Sequence, residues 1–432
     1  MAPNPSIMKA VEQLGYRVTV GDVAAQAGLD VNLAQRGLLA LASEAGGNLQ
    51  VAESGEIAYL FPGNFRAVLR NKFLRLRLQE WWEKVWRVLF YLIRISFGIV
   101  LILSIVLIFV AIALIVMAAN SSRDGDSRSS DRSGGGLGFL PNIWIGPDLF
   151  WFFNPNPYGY SRREARRSHD QQSLNFLEAI FSFLFGDGNP NADLEERRWQ
   201  AIASVIRNHR GAVVAEQIAP YLDISGAQQV DENYMLPVLT RFDGRPEVSP
   251  DGEIVYHFPQ LQSTAKSRRQ ESVPAYLREL SWRFSHASAG QIILAIGLGS
   301  LNLVGAAILG NLLGDGAIAA QLGGLVAFVQ SIFWLLIAYG VGFLAIPLAR
   351  YFWIQWRNRQ IEARNQQRQD YAVALNQANP ALQRKILYAQ QFAGENVVTQ
   401  ENLAYTTEKD LLEQESERSA AIDAEWQRRL DQ

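Results

Sequence analysis

No cysteine occurs among the 432 residues. The chain therefore forms no disulfide, offers no thiolate to zinc and cannot ligate an iron–sulfur cluster through cysteine. Histidine is scarce as well. His169, His209, His257 and His286 are scattered, and none has a metal-ligating partner three or four residues away. P-loop, HExxH and GxSxG motifs are absent. The sequence thus predicts no catalytic residue, no metal site and no cofactor, and the chain reads as a non-enzyme. A net charge of −2 argues against a polyanionic partner for the whole chain. The opening residues, MAPNPSIMKAVEQLG, lack a basic stretch followed by an apolar one, so no cleaved signal peptide is expected.

Long apolar runs are abundant. The composition is 49% hydrophobic yet 19% charged, too charged for a chain lying wholly in a membrane. Residues 95–119, ISFGIVLILSIVLIFVAIALIVMAA, carry no charge over 25 positions. As a helix they would span roughly 37 Å, enough for a transmembrane helix. Residues 65–94 approach this span with Arg75, Arg77, Lys84, Arg87 and Arg94 interleaved with Trp81, Trp82 and Trp86. Basic and aromatic residues together mark a headgroup layer, so 65–94 is expected to be an interfacial helix.

A second apolar block covers 290–353 and divides at GDGAIAAQLGG, 314–324. It predicts a hairpin of two transmembrane helices, 290–313 and 325–349. Gly297, Gly299 and Gly305, then Gly310 and Gly314 in small-xxx-small spacing, would let the helices approach closely. The run Ile296-Gly-Leu-Gly-Ser lies inside apolar sequence and lacks a third glycine at the dinucleotide-binding offset, so packing explains it better than phosphate binding. Asn302, Asn311 and Gln330 are the polar groups in these runs, and no ionisable pair marks a transport path, which disfavours a channel or carrier.

Arginines flank the hairpin on both outer sides, which places both flanks, and the N-terminal region, in the cytoplasm. One further span between two cytoplasmic ends breaks parity. The candidates that would return the chain are 137–160, an aromatic segment broken by Pro141, Pro147, Pro155 and Pro157 and bearing Trp144 and Trp151, and the short LNFLEAIFSFLF, 174–185. An aromatic interfacial or re-entrant segment over 137–190 is expected. Residues 120–136, NSSRDGDSRSSDRSGGG, have the composition of a flexible linker.

Two octapeptides are nearly identical, GEIAYLFP at 55–62 and GEIVYHFP at 252–259. Around the first the pattern is helix, short strand, helix, helix capped by Asp30, then two alternating runs about a Glu-Ser-Gly turn. Around the second the order repeats, with Leu222-Asp223 matching Leu29-Asp30. This is a winged-helix pattern, and the octapeptide is the second strand of each wing. Ile57, Tyr59 and Phe61, then Ile254, Tyr256 and Phe258, should pack on the helices, with Pro62 and Pro259 ending the strands. A weaker third echo begins at Val398 and lacks a wing. It runs into the charged TTEKDLLEQESERSAAIDAEWQRRL, read as a helical arm.

A winged helix on DNA needs cations where phosphate lies. Residues 1–64 hold Lys9, Arg17 and Arg36 against six acids, and 193–262 hold six arginines against eleven acids. Nucleic-acid binding is disfavoured, and protein interaction is the better use of these modules. The stretch from Asp187 to Asp193 spaces oxygens as a calcium loop does. It lacks the glycine at the sixth place, and Arg198 stands where a bidentate glutamate belongs. Asp193 is instead expected to cap the helix beginning LEERRW, with Glu196 three residues on.

The segments FLFGDGNPN and IGPDLFWFF, with the twin wings, resemble a family of membrane proteins of cyanobacteria and plant chloroplasts. The resemblance implies an oxygenic phototroph and a thylakoid or plasma membrane. It also brings a label that connects plant relatives with iron–sulfur cluster biosynthesis, but it supplies no catalytic residues. The expected architecture is a mainly α membrane protein: transmembrane helices (one single span plus a helical hairpin), two winged-helix-like α+β modules at 1–64 and 193–262, and a helical C-terminal arm over 350–432 with a degenerate third repeat. Its expected role is a membrane-anchored protein-interaction scaffold, or an assembly or maintenance factor for a membrane complex. The expected partners are the lipid bilayer, subunits of that complex and further copies of itself. The alternative is a membrane-tethered winged-helix regulator that binds nucleic acid.

Overall fold

The computed structural model describes residues 4–72, 74–121, 175–224, 232–267, 270–314, 317–377, 379–400 and 402–430. In chain order the first elements are α1 (Pro5–Gln13), β1 (Arg17–Thr19), α2 (Val20–Ala27), α3 (Val31–Ala45), β2 (Asn48–Ala52) and β3 (Ile57–Leu60). Then come α4 (Phe65–Lys72), the long α5 (Leu74–Ser121), α6 (Phe176–Phe185), α7 (Leu194–Asn208), β4 (Ala212–Val213) and α8 (Ala215–Ile218). They are followed by α9 (Leu236–Phe242), β5 (Arg245–Val248), β6 (Ile254–His257), α10 (Pro259–Gln262) and β7 (Ser263–Thr264). The last are α11 (Ala289–Leu313), α12 (Ala317–Leu322), α13 (Gly324–Ser331), α14 (Phe333–Asn376), α15 (Pro380–Ala389), β8 (Asn396–Val397), β9 (Leu403–Thr406) and α16 (Leu411–Leu430). Helices predominate and the sheets are small. The chain forms two units, one of Met1–Glu83, Asn189–Ser281 and Asn358–Gln432, the other of Lys84–Gly188 and Trp282–Arg357.

In the first unit, local signals place the elements of the repeat. Thr19 and Asp22 cap α2 reciprocally, and Gly28 closes it in the left-handed region at φ +61°. Asp30 caps α3 by accepting from the Leu33 N–H at 3.0 Å. Strands β1, β3 and β2 pair antiparallel in that order, as do β4, β6 and β5. The alignment of Arg17 with Leu60 in the first sheet recurs as Ala212 with His257 in the second.

The two repeats share one hydrophobic core rather than forming separate modules over 1–64 and 193–262. Val11, Val23, Leu38, Leu41 and Phe61 pack in the same cluster as Ile202, Ile206, Val238, Phe242 and Phe258. Tyr59, Phe61, Tyr256 and Phe258 are buried as the alternation predicts, whereas Ile57 stands 38% exposed. The opposite face of each strand is buried too. Ala58 packs on Val398, and Val255 on Ala389. Both octapeptides are therefore covered on two sides, and the second cover comes from the C-terminal region.

That region contains the expected charged helix, as α16, but is not helical throughout. Its α14 ends at Asn376, and the echo at Val398 forms no helix: β8 pairs with β7, and β9 adds a fourth strand beside β2. The equivalent edge in the second repeat takes no strand among the described residues, for a backbone reason. Leu49 faces Tyr59 and Pro246 faces Tyr256 in matching registers. The Leu49 carbonyl and N–H point outward, accepting from the Thr407 N–H and donating to Thr407 Oγ1, both at 2.9 Å. Pro246 has no N–H to offer there.

Asp193 precedes α7 without a side-chain cap and pairs with Arg197 at 3.1 Å instead, which corrects the expected capping box. Asp223 pairs with Arg198 and Arg368.

The second unit holds the greater part of the helices that are long and apolar enough to cross a membrane. The qualifying stretches are Trp81–Ala119, Ala289–Leu313 and Phe333–Asn376. Two boundaries differ from expectation. The segment 65–94 is no separate helix: α4 covers its start, and α5 runs from Leu74 into the apolar stretch, since no glycine or proline occurs between 74 and 97 to stop it. The hairpin's second helix does not span 325–349. Short α12 and α13 precede α14, which begins at Phe333, includes Pro347 and continues past 349 through charged sequence. Helix α6 packs Ile180, Phe183 and Leu184 against Leu101, Ala295 and Phe343. The aromatic segment 137–160, with the linker before it, lies outside the described residues.

Candidate functional site

The sequence-predicted interface residues are dispersed. Arg75 and Arg77 lie on the first turns of α5, and Trp81, Trp82 and Trp86 follow on the same helix, each more than half exposed. Trp144 and Trp151 lie outside the described residues. The packing glycines separate into two kinds. Gly310 faces Phe333, whose ring would lie 2.5 Å from an added Cβ. Gly314 instead ends α11 at φ +45° with nothing near it, so it serves termination and not packing. The close approaches belong to Gly299, where an added Cβ would meet Phe343 at 2.4 Å, and to Gly305 against Ile108 at 3.0 Å.

Polar groups converge at one end of this unit. Asp187 accepts from Arg94 Nη2 at 3.2 Å, Ser182 Oγ at 2.6 Å and the His286 N–H at 2.8 Å. Arg350 donates to the Phe183 carbonyl at 2.8 Å and lies over the Phe284 ring at 4.4 Å. Arg357 stands 5.4 Å from the ring centres of both Trp282 and Trp353. Arginines against aromatic faces are the side chains that suit a boundary between hydrocarbon and water. The sequence hinted at this end through FGDGNP, which resembles a calcium loop without its ligands, and through the arginines that flank the hairpin. Within the bundle, Asn302 donates to Ser104 Oγ, joining α11 to α5.

In the first unit, Arg241, Arg207, Lys385 and Arg368 are engaged internally. Arg241, the single basic residue of α9, donates to the Gly28 carbonyl at 2.6 Å and stacks on Trp199 at 4.3 Å. Arg207 reaches Asp22 at 2.6 Å with both side chains buried. Lys385 holds Glu216 and Glu232 at 3.0 and 2.7 Å, and Arg368 joins Glu279 at 2.8 Å and the Leu277 carbonyl at 2.9 Å. On the outer face of α3, Arg36 is accompanied by Leu33 and Leu39, which are 40% and 54% exposed.

These pairs set the carboxylates they bind. Burial alone would raise the Asp22 carboxyl, but the Arg207 charge and the N–H groups of Thr19 and Ala265 outweigh it and hold Asp22 below its ordinary value. Burial likewise opposes ionisation of Glu279, and Arg364 with Arg368 reverses the sign. Lys385 is raised, its burial being overcome by the two glutamates.

Around the C-terminal end of α7 lie cavities of about 240, 270 and 390 Å³, each bordered by Asn208. His209 and Arg210 border the largest. Among the described residues no group of three or more His, Asp or Glu is placed to hold a metal ion.

No family model matches the chain, and no solved structure matches it. It is 41% identical over 438 residues to the uncharacterized protein At5g03900, chloroplastic, of Arabidopsis thaliana, over 98% of this chain and 81% of that protein.

Proposed function

The chain belongs to the family of that chloroplastic Arabidopsis protein, and from this premise we propose an integral membrane protein of a photosynthetic membrane, thylakoid or plasma membrane, that serves as an interaction scaffold or assembly factor for a membrane complex. Helices α5, α11 and α14 anchor it, and its N- and C-terminal regions face the cytoplasmic or stromal side. The first unit is a fused pair of winged helices. A cyanobacterial source is consistent with this reading. Any part in iron–sulfur cluster biosynthesis would be indirect, because the chain has no cysteine to hold a cluster.

One observation carries the proposal. The helix that would enter a DNA groove in the first repeat presents Leu33 and Leu39 beside a single arginine, while Arg241 of the second is consumed inside the protein. That surface suits a protein and repels phosphate less than it ignores it.

The test is affinity purification of the full-length protein from photosynthetic membranes in mild detergent, beside Leu33→Asp and Leu39→Asp. Both positions are exposed, so the fold should survive. Subunits of one membrane complex should accompany the parent and be depleted from the variants. Equal recovery from all three would reject α3 as the docking face. Heparin retention with steep salt dependence would favour the nucleic-acid alternative. Because the chain has no cysteine, Ser43→Cys labelled from either side of sealed vesicles reports sidedness directly.

A further inference from the structure

Each repeat ends its first helix in a turn that is left-handed at two consecutive residues. In the first these are Gly15 at φ +82° and Tyr16 at φ +68°; in the second they are Arg210 at φ +55° and Gly211 at φ +79°. The turns are equivalent, since the Tyr16 carbonyl accepts from the Phe61 N–H at 2.8 Å and the Gly211 carbonyl from the Phe258 N–H at 2.7 Å. Where one repeat has glycine, the other carries arginine in a conformation that a Cβ disfavours.

Such a residue persists only when its surroundings hold it. The Arg210 carbonyl is held by the Gly394 N–H and by Gln262 Nε2, both at 3.0 Å. The Tyr16 ring packs edge-on against Phe65 at 6.2 Å. The Arg210 guanidinium is exposed and has no ion-pair or hydrogen-bond partner among the described residues.

Arg210 borders the cavity of about 390 Å³, together with His209, Asn208, Gln217 and Gln390. Its apolar side is Ala212, Ile386 and Ala389. No carboxylate borders it, although residues 193–262 carry eleven acids against six arginines. Gln217 is nearly buried, 6% exposed, and its Oε1 accepts from the Val214 N–H at 3.0 Å, which leaves its NH₂ group as a donor. The His209 ring donates Nδ1–H to the Val205 carbonyl at 2.8 Å, so its Nε2 donates to an anion only in the protonated ring.

We propose that this cavity binds a small anionic molecule, its phosphate or carboxylate group held by the Arg210 guanidinium and the Gln217 amide, with His209 alongside and an apolar portion against Ala212, Ile386 and Ala389. Guanidinium matches either anion in a bidentate fork, and the cavity lies in the size range of small-molecule sites.

The experiment is isothermal titration calorimetry on the full-length protein in detergent, with pyrophosphate and with citrate as probes and sodium chloride at matched ionic strength as the control. At least one probe should bind saturably below about 10 mM. Arg210→Gly should weaken it by about tenfold or more. Glycine suits φ +55°, so this variant should melt at the same temperature as the parent or higher, which separates loss of the ligand from loss of the fold. Arg36→Ala, on α3, should bind like the parent. A response to pyrophosphate alone assigns a phosphate ligand, and to citrate alone a carboxylate. No saturable binding of either probe, or equal affinity in Arg210→Gly, overturns the proposal.

Discussion

Asp22 shows how one position serves two ends. It caps α2 through the Thr19 N–H, as Gln217 caps α8 through the Val214 N–H. The first repeat uses a charge there because Arg207, from the second, reaches it at 2.6 Å while Thr264 Oγ1 and the Ala265 N–H add donors at 3.1 and 2.9 Å. Asp22→Ala leaves Arg207 buried and uncompensated and should destabilise the unit by about 3–5 kcal/mol, read by denaturant unfolding. The pH dependence has a definite sign. Asp22 and Glu279 are both depressed, so their contribution is fully present above the ordinary carboxylate range near pH ~4 and disappears as pH falls through their lower folded values. Asp22→Asn should remove the part of that acid-limb slope due to Asp22. Parallel acid curves for parent and variant would exclude the assignment.

Among the elements, sheet edges and helix contacts carry the specificity. Strand β2 offers outward N–H and carbonyl groups and receives β9, whereas β5 carries Pro246 at the matching place. The remaining outward carbonyl of β5, on Val248, accepts from the Tyr388 hydroxyl at 3.3 Å. Proline on an open edge prevents pairing with another chain. Pro246→Val should therefore promote concentration-dependent association, visible by light scattering, with little change in unfolding. In the apolar bundle, Gly299→Leu would force a side chain into the Phe343 ring and should cost about 1–3 kcal/mol, lowering the melting temperature in detergent. The same change at Gly314 meets no neighbour and acts only through its positive φ.

At the scale of the whole chain, the C-terminal residues are structural members of the first unit. Arg17 of β1 donates to the carbonyls of Ala265 and Val398, both at 2.8 Å, and Glu56 accepts from Asn396 at 2.6 Å. Removing residues 395–432 should uncover Ala58 and the β2 edge. The expected outcome is broadened unfolding and self-association, measured by calorimetry and by size-exclusion with light scattering. A truncated chain that remained monodisperse and equally stable would show that β9 is dispensable. For the same reason, deleting 193–262 alone would not test its role cleanly, because its side chains complete the core of 1–64.

The sequence by itself determined whatever depends on neighbours along the chain. The order of elements in each repeat, the Asp30 cap, the burial of Tyr59, Phe61, Tyr256 and Phe258, and α11 at 289–313 all follow from caps, period-two alternation and uncharged length. Only the tertiary structure decided what depends on contacts between distant segments. The fused core, the strand supplied by 403–406, the Asp22–Arg207 pair and the separation of Gly310 from Gly314 join residues whose spacing encodes no encounter. The cavity beside Arg210 belongs to the same class. A left-handed arginine looks like any other arginine in sequence, and its backbone is fixed by donors from residues 262 and 394, which folding alone brings to it.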